Sequence, residues 1–169
     1  MTKIPSKQKG FSLIEMLVYI SILVFMLAVI MDITISMVRS ERVIRASRNV
    51  ENSASIALER IVREMRQADS INTTSSIFGS NPGVLVLQGT DTLGDPRTVE
   101  FYVSSETLLL KENGLDLGTL TEADARVTDL VFNYFSGSNS EGVRIEMTIE
   151  SGESPHYRSE HFYASAILR

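Results

Sequence analysis

From residue 11 to residue 31 the chain is apolar at almost every position, and the one charged side chain in that run is Glu15. No glycine or proline occurs between Phe11 and Phe78, so nothing there obliges a helix to break. The 21 residues from Phe11 to Met31, wound as helix, rise roughly 31 Å, about the thickness of a bilayer's hydrocarbon core. The pattern predicts a membrane span with an acid near its start.

Beyond Met31 the pattern turns amphipathic. Ser47, Val50, Ala54, Leu58, Ile61, Met65 and Ala68 recur at three- and four-residue steps, the mark of one buried helical stripe. Glu59 with Arg63 and Arg60 with Glu64 are expected on the opposite face, as surface pairs worth a few tenths of a kcal/mol each. From Asp69 to Ser76 and from Gly79 to Gly83 the chain is polar and rich in turn formers, which predicts loop.

Short strands are predicted after that. Val84 to Gln88 and Thr98 to Val103 form the first two, and Leu108 to Lys111 with Leu115 to Leu120 form a hairpin across Asn113-Gly114, a dipeptide suited to positive φ at both turn centres. Val127 to Phe135 and Val143 to Glu150 form a second hairpin, and His161 to Leu168 a final strand. Val143, Ile145, Met147 and Ile149 alternate with Arg144, Glu146, Thr148 and Glu150, so that strand has one buried face. The expected class is α+β: a long N-terminal helix, membrane-spanning in its first half, packed on a small antiparallel β-sheet. By pattern the chain divides into a basic leader (1–10), a transmembrane helix (11–38), an amphipathic continuation (39–68) and a β-sheet head (69–169).

Charge sharpens this division. The leader carries Lys3, Lys7 and Lys9 and no acid, as expected of a segment kept on the cytoplasmic side, which places the head outside the cytoplasmic membrane. Residues 39–68 hold seven arginines and four glutamates, a net of +3, whereas residues 69–169 hold six basic and fifteen acidic residues, a net of −9. Arg39, Arg42, Arg45 and Arg48 make a basic ridge just beyond the span, suited to lipid phosphates or to acids on neighbouring subunits. The ridge runs against the usual excess of positive charge on the inner side. There are no cysteines, so no disulfide supports the head.

Little of the sequence points to catalysis or to a cofactor. No nucleophile elbow, phosphate-binding loop, dinucleotide glycine pattern or zinc spacing is present. His156 and His161, near Glu153 and Glu160, are five apart, which on a strand turns them to opposite faces and argues against a metal pair. Asp91 and Asp95 raise the question of calcium, but their spacing is not that of an EF-hand loop, and an acidic turn explains them as well. The acidic head and its scattered cations (Arg97, Lys111, Arg126, Arg144, Arg158, Arg169) argue against direct nucleic-acid binding.

The string Gly10-Phe11-Ser12-Leu13-Ile14-Glu15 behind a basic leader resembles the type IV pilin superfamily. A removed signal peptide would have a shorter apolar core with its cleavage site after it, and a plain signal anchor would not require this string. The resemblance implies that a membrane prepilin peptidase cuts between Gly10 and Phe11 and methylates the new amino group. It also implies that Glu15, one turn on, meets such an amine during assembly. Residues Ala57 to Ala68, Val127 to Tyr134 and the strand that ends the chain more loosely resemble minor pilins of the W type and secretion pseudopilins of the J type, which prime or cap filaments. The implied protein is a non-catalytic filament subunit without cofactor or small-molecule substrate. Its partners would be other pilin or pseudopilin subunits, the peptidase, the inner-membrane assembly platform and membrane lipid. It would be single-pass in the cytoplasmic membrane, then part of a periplasmic or extracellular filament. The absence of cysteine, and of a proline near Asp32, departs from many such pilins. The alternatives are a membrane-tethered extracytoplasmic binding domain and a DNA-uptake pseudopilin.

Overall fold

The computed structural model describes residues 10, 12–137, 140–154 and 157–168. The leader lysines, Phe11, His156 and Arg169 lie outside the described residues. The chain divides into two compact units, Met1–Glu41 and Arg42–Arg169, and one helix, α1 (Leu13–Gln67), contributes to each.

In the first unit every described residue of α1 is exposed, the apolar ones included. In the second, α1 buries Ala46, Val50, Ser53, Ala54, Ala57, Ile61, Glu64 and Met65. The expected stripe holds at Val50, Ala54, Ile61 and Met65, but Ser47, Leu58 and Ala68 lie half-buried at its margin. Its centre runs through smaller residues, Ala46, Ser53 and Ala57, which leave room for Phe101 and Phe132 from the strands; both rings are fully buried.

Eight strands follow α1 in two antiparallel sheets. The first contains β1 (Ser70–Ile71), β2 (Leu85–Thr90), β3 (Pro96–Ser104), β4 (Thr107–Glu112) and β5 (Leu115–Thr119), in that spatial order. The second contains β6 (Ala125–Ser136), β7 (Glu141–Ser151) and β8 (Arg158–Ile167). This is the α+β layout expected, with the strands shared between two sheets. Strand β1 falls in the stretch expected as loop: beside it Asp69 N donates to Gln88 O and Asn72 N to Val86 O, so the chain leaving the helix adds an edge to β2. Strand β8 begins three residues before the expected start.

The outer edge of β6 is covered rather than left free. Gly79 N donates to Phe132 O (2.9 Å), Gly83 N to Leu130 O (2.7 Å), and Val127 N to Glu106 O (2.7 Å). The Asn81 side chain completes the seam, donating to Thr128 O and accepting from Leu130 N. These bonds join the second sheet to the turns of the first and satisfy backbone groups that would otherwise be lost to burial.

The β4–β5 turn is the one expected at Asn113 (φ 49°) and Gly114 (φ 83°). The β3–β4 turn has the same two-residue form with positive φ at Ser105 (50°) and Glu106 (61°), without a glycine or asparagine to favour it. The expectation that Glu64 lies on a solvent face is overturned. Its side chain is 3% exposed, Arg60 Nη2 lies 2.8 Å from Oε1, and Arg97 Nη1 lies 2.7 Å from Oε2. Spacing within the helix revealed one of those partners; the other arrives from β3.

Candidate processing and assembly site

Ser12 opens the helix. Its carbonyl accepts the first helical bond, from Met16 N at 3.2 Å, and Ser12-Leu13-Ile14-Glu15 has the serine-to-glutamate spacing of a helix start. Glu15 falls in the first turn, where the partial positive charge of the helix N-terminus favours an acid. Tyr19, one turn on, donates its hydroxyl to Glu15 Oε1 at 3.2 Å. This contact was readable from the i,i+4 spacing.

Gly10 is exposed, and a side chain built on it would meet no atom within 4 Å. The bond on its carboxyl side leads to Phe11, which lies outside the described residues. From Leu13 to Met31 the helix presents apolar side chains on all sides, and its most apolar 18-residue window has a mean hydropathy of 2.7. The hydroxyls of Ser21 and Thr34 donate back to the carbonyls of Leu17 and Ile30, each at 2.8 Å, which satisfies them within the helix. A surface of this kind fits membrane anchoring.

Of the basic ridge, Arg39, Arg42, Arg45 and Arg48 are all exposed. Arg42 and Arg45 line a cleft of about 480 Å³ together with Asn49, Asp124, Arg126 and Glu153, whereas Arg48 does not. The structure thus brings two ridge arginines together with a third, Arg126, from β6. The sequence offered no signal for that meeting.

The remaining candidates are occupied otherwise. Asp91 Oδ1 accepts from the backbone N–H groups of Leu93 (2.8 Å) and Asp95 (2.9 Å), which closes its loop and holds its carboxyl below the usual range. His161 Nδ1 lies 2.8 Å from Thr148 Oγ1 across β7 and β8, while His156 is outside the described residues. Among the described residues no group of three or more acidic, histidine or cysteine side chains could hold a metal ion.

Residues 5–31 match the family model described as the prokaryotic N-terminal methylation motif. Comparison with curated proteins and with solved structures gave no match. The start of this chain thus carries a prokaryotic N-terminal methylation motif, which takes in Gly10, the first-turn acid Glu15 and the apolar, exposed part of the helix that begins at Leu13.

Proposed function

We propose that this chain is a non-catalytic subunit of a type IV pilus-like filament, a minor pilin or pseudopilin that primes or caps assembly. In this reading a prepilin peptidase cuts between Gly10 and Phe11 and methylates the amino group of Phe11. Glu15 then pairs with such an amine, on its own chain or on a neighbour. That pairing offsets the cost of burying a lone carboxylate in an apolar environment, about 2.5 to 3.5 kcal/mol on insertion scales. The head stands outside the cytoplasm, and other pilin subunits and the assembly platform are its partners. The observation that carries the reading is the motif match over residues 5–31, with its acid in the first turn of an apolar helix.

The test is the intact mass and N-terminal sequence of the full chain, expressed with and without its own peptidase. The reading expects a chain beginning at Phe11 with one added methyl group only when the peptidase is present. Glu15→Gln is expected to be processed as the native chain is, yet to be lost from filaments. A chain that still begins at Met1 in cells where a known prepilin is cut would overturn the reading in favour of a tethered domain.

A further inference from the structure

Glu15 is the one charged side chain between Phe11 and Met31, and one of its two carboxylate oxygens is engaged within its own helix. The Tyr19 hydroxyl, four residues further along α1, donates to Oε1 at 3.2 Å. Long helical side chains lean towards the N-terminus, which is how the phenol reaches back one turn to the acid. The hydroxyls of Ser21 and Thr34 are turned to the backbone instead, on the carbonyls of Leu17 and Ile30. Leu17, Val18, Ile20 and Ile22, the apolar residues around Tyr19 in the sequence, carry no side-chain donor.

That contact bears on the pairing proposed for Glu15. A carboxylate offers about four lone-pair sites, and a single amine meets only part of them. An ion pair taken out of water is net favourable only when further hydrogen bonds satisfy what the pair itself leaves open. Tyr19 engages Oε1 and so leaves Oε2 to the amine. While the chain stands alone in a membrane, water and headgroups can reach an acid so close to the start of a span. Once stems pack together that access is lost, and a donor carried by the same helix counts for more. A tyrosine near the end of a span also serves as an interfacial anchor. The anchor needs the ring, whereas the contact with Glu15 needs the donor.

We propose that Tyr19 is a positioning residue for the Glu15 pairing. Its hydroxyl holds Oε1, leaves Oε2 for the amine of a processed N-terminus, and stays in place as the second donor when the pair is buried. This deepens the proposed filament function and rests on it.

The experiment expresses the full chain with its own peptidase and assembly machinery, and measures the amount recovered in sheared filaments relative to the amount left in membranes. A variant that inserts poorly is thereby not scored as one that assembles poorly. Tyr19→Phe, which keeps the ring and removes the donor, should lower that ratio about tenfold. Tyr19→Gln, which loses the ring but keeps an N–H donor able to reach one turn back, should recover most of the loss. Tyr163→Phe, at an exposed tyrosine of β8, should change nothing. A native ratio for Tyr19→Phe overturns the proposal. So does a ratio for Tyr19→Gln below that for Tyr19→Phe, which would make the ring the part that counts. The N-terminal mass is read on the same samples. A native chain left uncut and absent from filaments defeats the filament reading and this inference with it, whereas a processed native chain in filaments, with Tyr19→Phe equally abundant there, defeats this inference alone.

Discussion

Arg97 on β3 donates from Nη1 to Glu64 Oε2 on α1 at 2.7 Å, joining two residues 33 positions apart. The same guanidinium turns its Nε to Glu112 Oε1 on β4 at 2.8 Å, and Arg60 takes the other oxygen of Glu64. Both oxygens of the buried carboxylate are thereby matched, which is the condition under which a charge is tolerated away from water.

Removing Arg97 leaves Oε2 of that buried carboxylate without its partner. Arg97→Leu is expected to lower the stability of the head by about 3 kcal/mol, the range for breaking a buried pair from one side. Glu59→Gln, whose partner Arg63 is exposed, should cost under about 0.5 kcal/mol. Urea unfolding of the full chain in micelles, followed by circular dichroism, separates the two.

The clasp also predicts a pH dependence. The guanidinium of Arg97 holds the Glu112 carboxyl below its usual range. A carboxyl whose folded pKa is depressed adds stability above its unfolded value, about 4.3, and loses that addition as pH falls through the folded value. The stability gap between the native chain and Arg97→Leu should therefore be full at pH 7 and narrow below about pH 4. A gap that widens on acidification would contradict the assignment.

At the β3–β4 turn, two residues that disfavour positive φ occupy a conformation suited to Asn-Gly. Ser105→Asn with Glu106→Gly should raise stability by about 0.5 to 1 kcal/mol, since the carbonyl of Glu106 that accepts from Val127 is retained. A raised thermal midpoint checks this.

Gly142 on β7 faces Phe135 on β6, and a methyl group there would sit 2.5 Å from Phe135 Cζ and 2.7 Å from the carbonyl oxygen of Ala166. The ring can swing aside but the backbone of β8 cannot. Gly142→Ala should cost about 1 to 3 kcal/mol, seen as a lower midpoint in the same thermal scan.

What could be read ahead of the structure was whatever is decided locally. The apolar run, the Val50–Ala54–Ile61–Met65 stripe, the Asn113-Gly114 turn and the alternation from Val143 to Ile149 each follow from neighbours a few residues away. Glu64 could not be placed, because Arg60 is visible at four residues but Arg97 depends on how β3 packs against the helix. Strand β1 is two residues long and exists only because Gln88 and Leu87 lie beside it. For the site, the string around Gly10 and Glu15 was legible from spacing and resemblance, whereas Arg126 and Glu153 reach the cleft from segments far along the chain.

If the chain is drawn into a filament by its stem, as proposed, α1 is pulled while the head resists, and the interface between helix and strands is loaded in shear. Apolar surfaces slide past one another with only a gradual change in energy, because a displaced methyl group soon finds another. Glu64 has no such freedom: a shift of one turn would part it from Arg97 and leave Arg60, which moves with the helix, as the one partner of a buried carboxylate. On the proposed reading the Glu64–Arg97–Glu112 clasp would act as a shear pin, a mechanical role distinct from its share in resting stability.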